Sequence, residues 1–318
     1  MSQEPLVSVC MPCHNAERYV GEAVESVLNQ TYQNIELIVV NDGSTDRSGE
    51  VLERYKGRGV KVVTERCGSA SKARNRAVAE SRGAYVQYLD ADDALEKNKI
   101  EKQLSVLEKH PGYLAFGRWG RFYKSIEDVK FANDDQLQEW SAVGWLSFHC
   151  EKHQMMHPAA WLISRDLMHK AGPWNENLTL NDDGEYFARV VAMSKGLKCV
   201  PEAVSFYRTN RDPSLSKIRG YKAFQSYFDS LVGTVAALLA IENSVATRKA
   251  AADMFQRFIF EIYPSAPDLR AKASERVKNL GGSSLRPDLG PKGRVLGALL
   301  GWRVVVVLAR MMRKRILA

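Results

Sequence analysis

The chain has 318 residues, of which 45% are hydrophobic and 26% are charged. This length and composition allow a large buried core and exclude a disordered, fibrous or peptide-scale protein. The formal net charge of +8 is local, because residues 289–318 contain seven basic residues and no acidic one, whereas the rest holds 38 basic and 37 acidic residues. We therefore expect no nucleic-acid partner.

The start of the chain, Met1 to Pro5, has no basic region followed by a long apolar stretch. The sequence therefore predicts no signal peptide and a cytoplasmic protein. The five cysteines are odd in number and widely spaced, without a Cys-x-x-Cys pair. This pattern predicts reduced, structural thiols.

Strand-like and helix-like segments alternate over the first 90 residues. Strands are predicted at Leu6–Met11, Ile35–Asn41, Val60–Thr64 and Ala84–Leu89, with helices at Ala16–Leu28, up to Leu52, and at Ser71–Ser81. This alternation predicts an α/β fold with a Rossmann-like, doubly wound, mostly parallel sheet.

The second part of the chain is less regular. A helix over Glu96–Lys109 is followed by a Trp-rich stretch without a clear strand pattern up to about Leu180. Beyond it, the patterns predict a helix at Glu185–Ser194, a strand at Lys198–Tyr207, and helices at Tyr221–Glu242 and Thr247–Ile262. Prolines and glycines from Pro264 onward indicate the exit from the compact part. We expect a catalytic domain at 1–215, with a nucleotide-binding part to about 115 and an acceptor part at 116–215, then a helical extension at 216–288 and a basic tail at 289–318.

Three aspartates, Asp90, Asp92 and Asp93, directly follow the fourth predicted strand. In such sheets ligands bind beyond the carboxyl ends of the strands. Three like charges within four residues favour a bound cation. Asp92 or Asp93 could equally cap a helix that begins near Leu95. The residues alone leave both interpretations open.

Two other strand ends carry candidate binding residues. Asp42 ends the second strand, where its carboxylate could accept hydrogen bonds from a base or a ribose. Gly68 opens a loop that enters the helix of Arg74, and backbone N–H groups and cations favour phosphate there. The sequence has no Gly-x-Gly-x-x-Gly or P-loop motif, which disfavours nicotinamide and P-loop sites.

The order of these motifs is more specific than each motif alone. Pro12-x-x-Asn15, Val40 to Asp46, Gly68 with Ala73-Arg74-Asn75, and Tyr88 to Asp93 together resemble family 2 glycosyltransferases, which have the GT-A fold. The resemblance covers about residues 5–115 and, more loosely, 157–210. It implies Asp92 and Asp90 as ligands of Mg²⁺ or Mn²⁺, and the following contacts to a nucleotide sugar: Pro12, Asn15, Asp42, Gly68, Arg74, Asp90 and Arg208. Cys13, His14 and Ala77 depart from the commoner family residues.

The same resemblance places an acid pair at the start of the helix near residue 185. Asp183 corresponds to the general base, which would take the proton of the acceptor hydroxyl. Asp182 is the rival for this role, and both acids could simply complement the helix macrodipole. Arg208 resembles a family element near the pyrophosphate, with a surface arginine as an equal alternative.

Three histidines recur at intervals of four residues, His149, His153 and His157. Solvated or packed histidines are favoured over a metal site here, because the interval is irregular and includes Pro158. His157 also precedes a segment that lies near donor and acceptor in the family, so it is a candidate substrate contact.

The basic tail is apolar over Val295–Ala309 except for Arg303, with cations on both flanks. It is too short to span a bilayer. The pattern predicts a helix lying in an anionic membrane surface, with a helix docked on the protein's own core as the alternative.

Together these features predict an inverting glycosyltransferase that moves a sugar from a nucleotide sugar, taken as UDP-linked, to a glycan or lipid-linked acceptor. Its predicted location is the cytoplasm, peripheral to the inner face of the plasma membrane. The alternatives are a sugar-phosphate nucleotidyltransferase and a non-catalytic protein that binds nucleotide sugars or membranes.

Overall fold

The computed structural model describes residues 4–131, 134–154, 156–209, 220–290, 296 and 299–307. Its strands are β1 Val7–Cys13, β2 Ile35–Asp42, β3 Lys61–Glu65, β4 Tyr85–Tyr88, β5 Ala94–Leu95, β6 Leu114–Phe122, β7 Lys130–Phe131, β8 Trp161–Ser164 and β9 Leu197–Arg208. Its helices are α1 Val20–Leu28, α2 Ser48–Lys56, α3 Ala70–Ala79, α4 Lys99–Lys109, α5 Ala142–Lys152, α6 Arg165–Ala171, α7 Asp182–Met193, α8 Tyr221–Ile241, α9 Val245–Ile262 and α10 Pro267–Asn279.

All nine described strands join one sheet in the order β3-β2-β1-β4-β8-β6-β9-β5, with β7 added to β6. The first four are parallel, as predicted. β8 then runs antiparallel to both β4 and β6, and β6 is parallel to β9. The α/β fold with a mostly parallel, doubly wound sheet is confirmed. Strands β5, β6, β7 and β8 were not predicted, and the last three lie in the Trp-rich stretch.

The sheet forms because its central strands are apolar on both faces. In β1 every side chain except Pro12 is buried. One face of the sheet packs against α1 and α4, and the other packs against α3, α5 and α7. Buried parallel strands read as continuous apolar runs for this reason. All five cysteines are free thiols, as predicted.

One edge of the sheet collects the loops that carry the candidate site residues. Strands β1 to β4 end there, and the pairing of β8, β6 and β9 brings the ends of β6 and β9 to the same edge. The start of β8 and the preceding 3-10 turn, Pro158–Ala160, also lie at this edge. Residues far apart in sequence therefore meet here.

The three helices α8, α9 and α10 follow the sheet. α8 packs on α7 and α5, α9 packs on α5, and α10 packs on α9 and α8. α10 begins at Pro267, so Pro264 and Pro267, the first positions predicted to mark the exit from the compact part, precede a further packed helix within the extension expected at 216–288. Proline at the first helical position suits a helix start, because its missing N–H has no partner there anyway. In the part of the chain that the structure describes, α8 is the one helix long and apolar enough to cross a membrane, and 44% of its apolar window is buried in the protein.

Candidate active site

The loop after β4 separates its three aspartates into two environments. Asp90 and Asp92 are partly exposed at the sheet edge, whereas the Asp93 side chain is buried, at 1% exposure. Asp93 accepts hydrogen bonds from the Arg208 backbone N–H at 2.9 Å and lies 3.2 Å from Nδ1 of His157. Asp90 and Asp92 therefore face the site, and Asp93 anchors their loop.

Burial and the charges of Asp92 and Asp90 raise the pKa of Asp93 well above its usual range. Burial lowers the pKa of His157 to about 3. Both shifts have burial as their largest cause and disfavour an ion pair between the two side chains. His157 Nε2 lies 2.8 Å from Ser205 Oγ, which extends the buried polar row behind the acidic loop.

Arg74 joins the loop after β4 to the start of α7. Its guanidinium donates from Nη2 to Asp90 Oδ1 at 2.8 Å and from Nη1 to Asp182 Oδ2 at 2.9 Å. The side chain is only 6% exposed and lies over the ring of Trp174, 4.4 Å from its centroid. Burial alone would lower the pKa of Arg74, but the charges of Asp90 and Asp182 outweigh it and raise the pKa. This planar fork fixes two carboxylates from different parts of the chain.

The acid pair occupies the first turn of α7, where the helix macrodipole favours negative charge. Oδ2 of Asp182 accepts from both Arg74 and Ser71 Oγ, the latter at 2.7 Å. Asp183 accepts from the Gly184 N–H at 2.8 Å. Burial and the Asp182 charge raise the pKa of Asp183 to about 7, against the opposing effect of Arg74. Asp183 is thus a carboxyl group that can gain and lose a proton near neutrality.

The ends of β1, β2 and β3 form the other half of the crevice. Asp42 Oδ1 accepts from the backbone N–H groups of Cys67 and Gly68 at 2.6 and 2.8 Å. Gly68 has a φ of +82°, which favours glycine, and it opens the loop into α3. Asn15 Oδ1 accepts from the Thr45 N–H at 2.8 Å, which ties the loop after β1 to the loop after β2.

Pro12 is the partly exposed residue of β1, next to this tied pair of loops. The predicted residues after the first three strands therefore lie around one crevice. Their contacts to a nucleotide sugar stay predictions, and the geometry adds that Asp42 and Asn15 also shape the crevice by holding its loops.

Arg208 is the last residue of β9, and its side chain is 4% exposed. The alternative of a surface arginine was therefore wrong. Nε donates to the Asp92 carbonyl at 2.9 Å, Nη1 to the Tyr123 carbonyl at 3.1 Å, and Nη2 to Glu22. The guanidinium also stacks on Phe122 and Tyr19. Arg208 thus clamps the backbone of the acidic loop, and its predicted contact to a nucleotide sugar stays untested.

Two other interpretations of the sequence were wrong. Asp92 and Asp93 do not cap a helix, because Ala94 and Leu95 form strand β5 against β9 and α4 begins only at Lys99. His157 is fully buried, so it cannot contact a substrate directly.

The histidine triplet is likewise spread over different surroundings. His149 lies in α5 with Nδ1 against the Gln154 carbonyl, and His153 ends that helix in a left-handed conformation near Glu261. The favoured interpretation, packed or solvated histidines, agrees with this arrangement.

Sequence reasoning missed the partners that organise the site, above all Ser71, Trp174 and Ser205. Ser71 follows Gly68 in the motif that indicated a phosphate site, yet its hydroxyl bonds to Asp182. Trp174 stacks on Tyr186 at 4.1 Å under Arg74. The Gly172-Pro173-Trp174 run before the acid pair was the available signal, but it carries no information about its partner.

Comparison with known proteins identifies the family of this chain. The model of the family Glycosyl transferase family 2 matches residues 8–170. The chain is 29% identical to the minor teichoic acid biosynthesis protein GgaB of Bacillus subtilis, over 70% of this chain and 25% of that protein. It is also 29% identical to the uncharacterized glycosyltransferase EpsJ of the same organism, over 67% of this chain and 64% of that protein. The chain thus spans about a quarter of the length of GgaB and less than two thirds of that of EpsJ.

A solved structure shares the fold. The crystal structure of S. aureus TarS in complex with UDP-GlcNAc superposes with a TM-score of 0.64 at 15% identity, over 86% of this chain and 90% of that one. The chain belongs to the family 2 glycosyltransferases, since the family model matches half of it. This assignment favours the glycosyltransferase over the nucleotidyltransferase and the non-catalytic protein.

Proposed function

We propose that the protein transfers a sugar from a UDP-sugar to an acceptor hydroxyl with inversion at the anomeric carbon. The observation that carries this proposal is the convergence of two acidic segments on Arg74, one after β4 and one at the start of α7. The crevice bounded by Pro12, Asn15, Asp42 and Gly68 lies at the same sheet edge. A donor held there would present its diphosphate to the loop after β4 and its sugar to α7.

Asp183 is the better general base of the two candidates. Asp182 is committed to Arg74 and Ser71, and a carboxylate paired with a guanidinium is a poor proton acceptor. Asp183, with a pKa of about 7, accepts a proton readily at neutral pH. It would take the proton of the acceptor hydroxyl as that oxygen forms a bond to the anomeric carbon and the bond to the nucleoside diphosphate breaks. One displacement of this kind inverts the configuration.

Asp90 and Asp92 fit a divalent metal ion through the chemistry of their oxygen donors. In the described residues no three His, Cys, Asp or Glu side chains form a complete metal site. Mg²⁺ in phosphate sites is commonly bound by one or two carboxylates together with the phosphates of the substrate, so two aspartates suffice. When bound, Mg²⁺ or Mn²⁺ would neutralise the charge of the departing diphosphate.

The choice of donor and acceptor draws on the similar proteins. TarS binds UDP-GlcNAc, which supports a UDP-sugar donor for a chain of the same fold. GgaB takes part in minor teichoic acid biosynthesis, which supports a polymer acceptor and a role in polysaccharide biosynthesis. A glycan or a lipid-linked glycan is the acceptor class we propose.

The first experiment is a thermal-shift panel of nucleotide sugars with and without Mn²⁺, followed by transfer assays with the donors that stabilise the protein. We expect a UDP-sugar to stabilise the protein only when the metal is present. We also expect NMR to show that the product has the inverted anomeric configuration. Asp92→Asn should lose the metal-dependent donor affinity, whereas Asp128→Asn, which alters an exposed aspartate after β6, should keep it. Equal donor affinity with and without metal in the unchanged protein would remove the metal from the proposal.

The C-terminal segment supports a second proposal, peripheral binding to an anionic membrane. Trp302 packs on Phe260 and Tyr263, each at 5.0 Å between ring centroids, whereas Leu299 is 77% exposed and Leu300 is 51% exposed. The segment is thus docked through one side, with apolar side chains left on the other. The tail cations other than Arg303 lie outside the described residues. Exposed leucines next to a cluster of cations suit an anionic lipid surface.

Vesicle sedimentation tests this second proposal. Leu299→Glu together with Leu300→Glu should reduce binding to phosphatidylglycerol vesicles. The matched control is Val245→Glu, which alters an apolar residue of α9 that is 88% exposed and should leave binding unchanged. Equal sedimentation of all three proteins, or binding to neutral phosphatidylcholine alone, would reject it.

A further inference from the structure

Helix α8 lies beyond the residues that the family model matches, yet it contacts the segment that leads into the acid pair. Along this mostly apolar helix three hydroxyl side chains recur four residues apart, Ser226, Ser230 and Thr234, exposed by 5%, 0% and 0%. Spacing of four residues puts them on one face. Buried hydroxyl groups cost free energy unless they form hydrogen bonds, so a polar row on this helix needs a partner.

The first two hydroxyls find that partner in the loop before α7. Ser226 Oγ accepts from the backbone N–H groups of Thr179 and Leu180 at 2.8 and 3.0 Å. Ser230 Oγ donates to the Tyr227 carbonyl at 2.7 Å and accepts from Asn181 Nδ2 at 2.9 Å. The three residues before Asp182 are therefore all held by two serines.

The held loop ends in a left-handed backbone conformation. Asn181 has φ +57° and ψ +33°, a geometry that is uncommon for non-glycine residues and that asparagine adopts more readily than most of them. Its peptide leads directly into Asp182, so a relaxation at Asn181 would rotate the first turn of α7. The hydrogen bond from Asn181 to Ser230 opposes that relaxation.

A close contact also fixes the distance between α8 and α7. A Cβ atom on Gly233 of α8 would lie 2.7 Å from Cγ of Glu185, in the first turn of α7. The close approach that glycine allows brings α8 against the turn that carries Asp182 and Asp183. The first turn of α7 is thus held on one side by α8, through the close contact at Gly233 and the serine hydrogen bonds. Arg74 holds the same turn through its ion pair with Asp182.

We propose that α8 is part of the transfer machinery, in which Ser226 and Ser230 are positioning residues that set the place of Asp183 relative to the bound donor and acceptor. This inference rests on the proposed function, because it assigns the two serines a purpose in the same reaction. The part of the chain needed for catalysis then extends past residue 215, where the sequence predicted the end of the catalytic domain.

The test compares two proteins. One is the double variant that carries both Ser226→Ala and Ser230→Ala, and the other is the single variant Thr234→Val. Thr234 has the same kind of buried hydroxyl one turn further along α8, but its Oγ1 has no hydrogen-bond partner among the described residues. The double variant should lower kcat about 10- to 100-fold, because small displacements of a catalytic group have effects of this size. Its KM for the donor should stay within about twofold, since the donor crevice is untouched. Thr234→Val should match the unchanged protein in both.

The thermal unfolding temperature of each variant shows whether the substitution has destabilised the whole fold. If the double variant keeps kcat within about twofold, or loses donor affinity in parallel with kcat, the positioning role is wrong. A large loss with Thr234→Val would likewise overturn it, because helix packing rather than the two hydrogen bonds would then be responsible.

Amide hydrogen exchange separates failure of this inference from failure of the proposed function. The N–H groups of Thr179 and Leu180 should exchange faster in the double variant and not in Thr234→Val, whatever reaction the protein performs. Unchanged exchange at these amides would overturn the inference. An unchanged protein that transfers no sugar from any nucleotide sugar would instead overturn the proposed function.

Discussion

Replacing Asp183 with asparagine should abolish transfer while making the folded protein more stable at alkaline pH. The change removes a negative charge and keeps the shape, and the amide oxygen can still accept the Gly184 N–H bond at 2.8 Å. A general base typically contributes a factor of about 10² to 10⁴, so kcat should fall by that much. Donor affinity should change little, since the crevice residues remain.

The stability change follows from the pKa. Burial and the Asp182 charge raise the pKa of Asp183 from 3.8 to about 7. At 1.36 kcal/mol per pKa unit this corresponds to at most about 4 kcal/mol against the folded state above pH 7. Because Asp183 is partly exposed and the effective dielectric is high, we expect about 1–2 kcal/mol.

The sign is set by proton binding. Between pH 4 and pH 7 the folded carboxyl binds a proton that the unfolded chain has lost, so the free energy of unfolding falls as pH rises through this window. Asp183→Asn removes this decrease in the free energy of unfolding. The variant and the unchanged protein should therefore be equally stable near pH 4 and differ most above pH 7.

Urea unfolding at pH 4 and pH 8, together with a pH profile of kcat/KM, measures both effects. The profile of the unchanged protein should rise through about pH 7. Asp166→Asn is the control, because Asp166 is an exposed aspartate in the first turn of α6 and its removal should leave activity intact. An Asp183→Asn variant that keeps a tenth of the activity, or that gains no stability at pH 8, would refute the reasoning.

Three further substitutions test the architecture around the site by urea unfolding. Arg74→Lys should cost about 2 kcal/mol, since a lysine cannot bond both carboxylates at once, whereas Arg82→Lys, at an exposed position, should cost under about 0.5 kcal/mol. Gly233→Ala should lower stability by about 1–3 kcal/mol from the clash at 2.7 Å, and a gain of stability would show that the helices can separate. His157→Phe should cost about 1–3 kcal/mol by leaving the buried Asp93 carboxyl short of a partner, with His169→Phe, at an exposed position, near zero.

Strands β1, β2 and β4 were predictable because each is a short, mostly apolar and buried run, and the edge strand β3 was predictable from its pair of adjacent valines. Strand β6 was missed because Gly117, Arg118 and Gly120 interrupt its pattern. Gly117 is required there, since a Cβ would lie 1.8 Å from the Ala203 carbonyl oxygen of β9. The information for this strand is in its neighbour, and local sequence patterns do not contain it.

The candidate site was likewise predictable only where local sequence patterns carry the information. The acidic residues were recognisable because they follow strand ends or a helix start. Their pairing was not, because Arg74 and Asp182 are 108 positions apart and either could have met another charge. The capping interpretation of Asp92 and Asp93 failed for a related reason, since the pairing of β5 with β9 displaces the helix start to Lys99.

The clamp formed by Arg208 implies an order of events during synthesis. Its backbone N–H holds Asp93, 115 positions earlier in the chain, and its guanidinium holds the carbonyl of Asp92. At about 5–20 residues per second, a ribosome needs about 6–23 s to pass from the acidic loop to its clamp. During that interval Asp93 and the Asp92 carbonyl lack the hydrogen bonds that Arg208 later donates. The loop after β4 therefore takes its described form only after β9 has emerged.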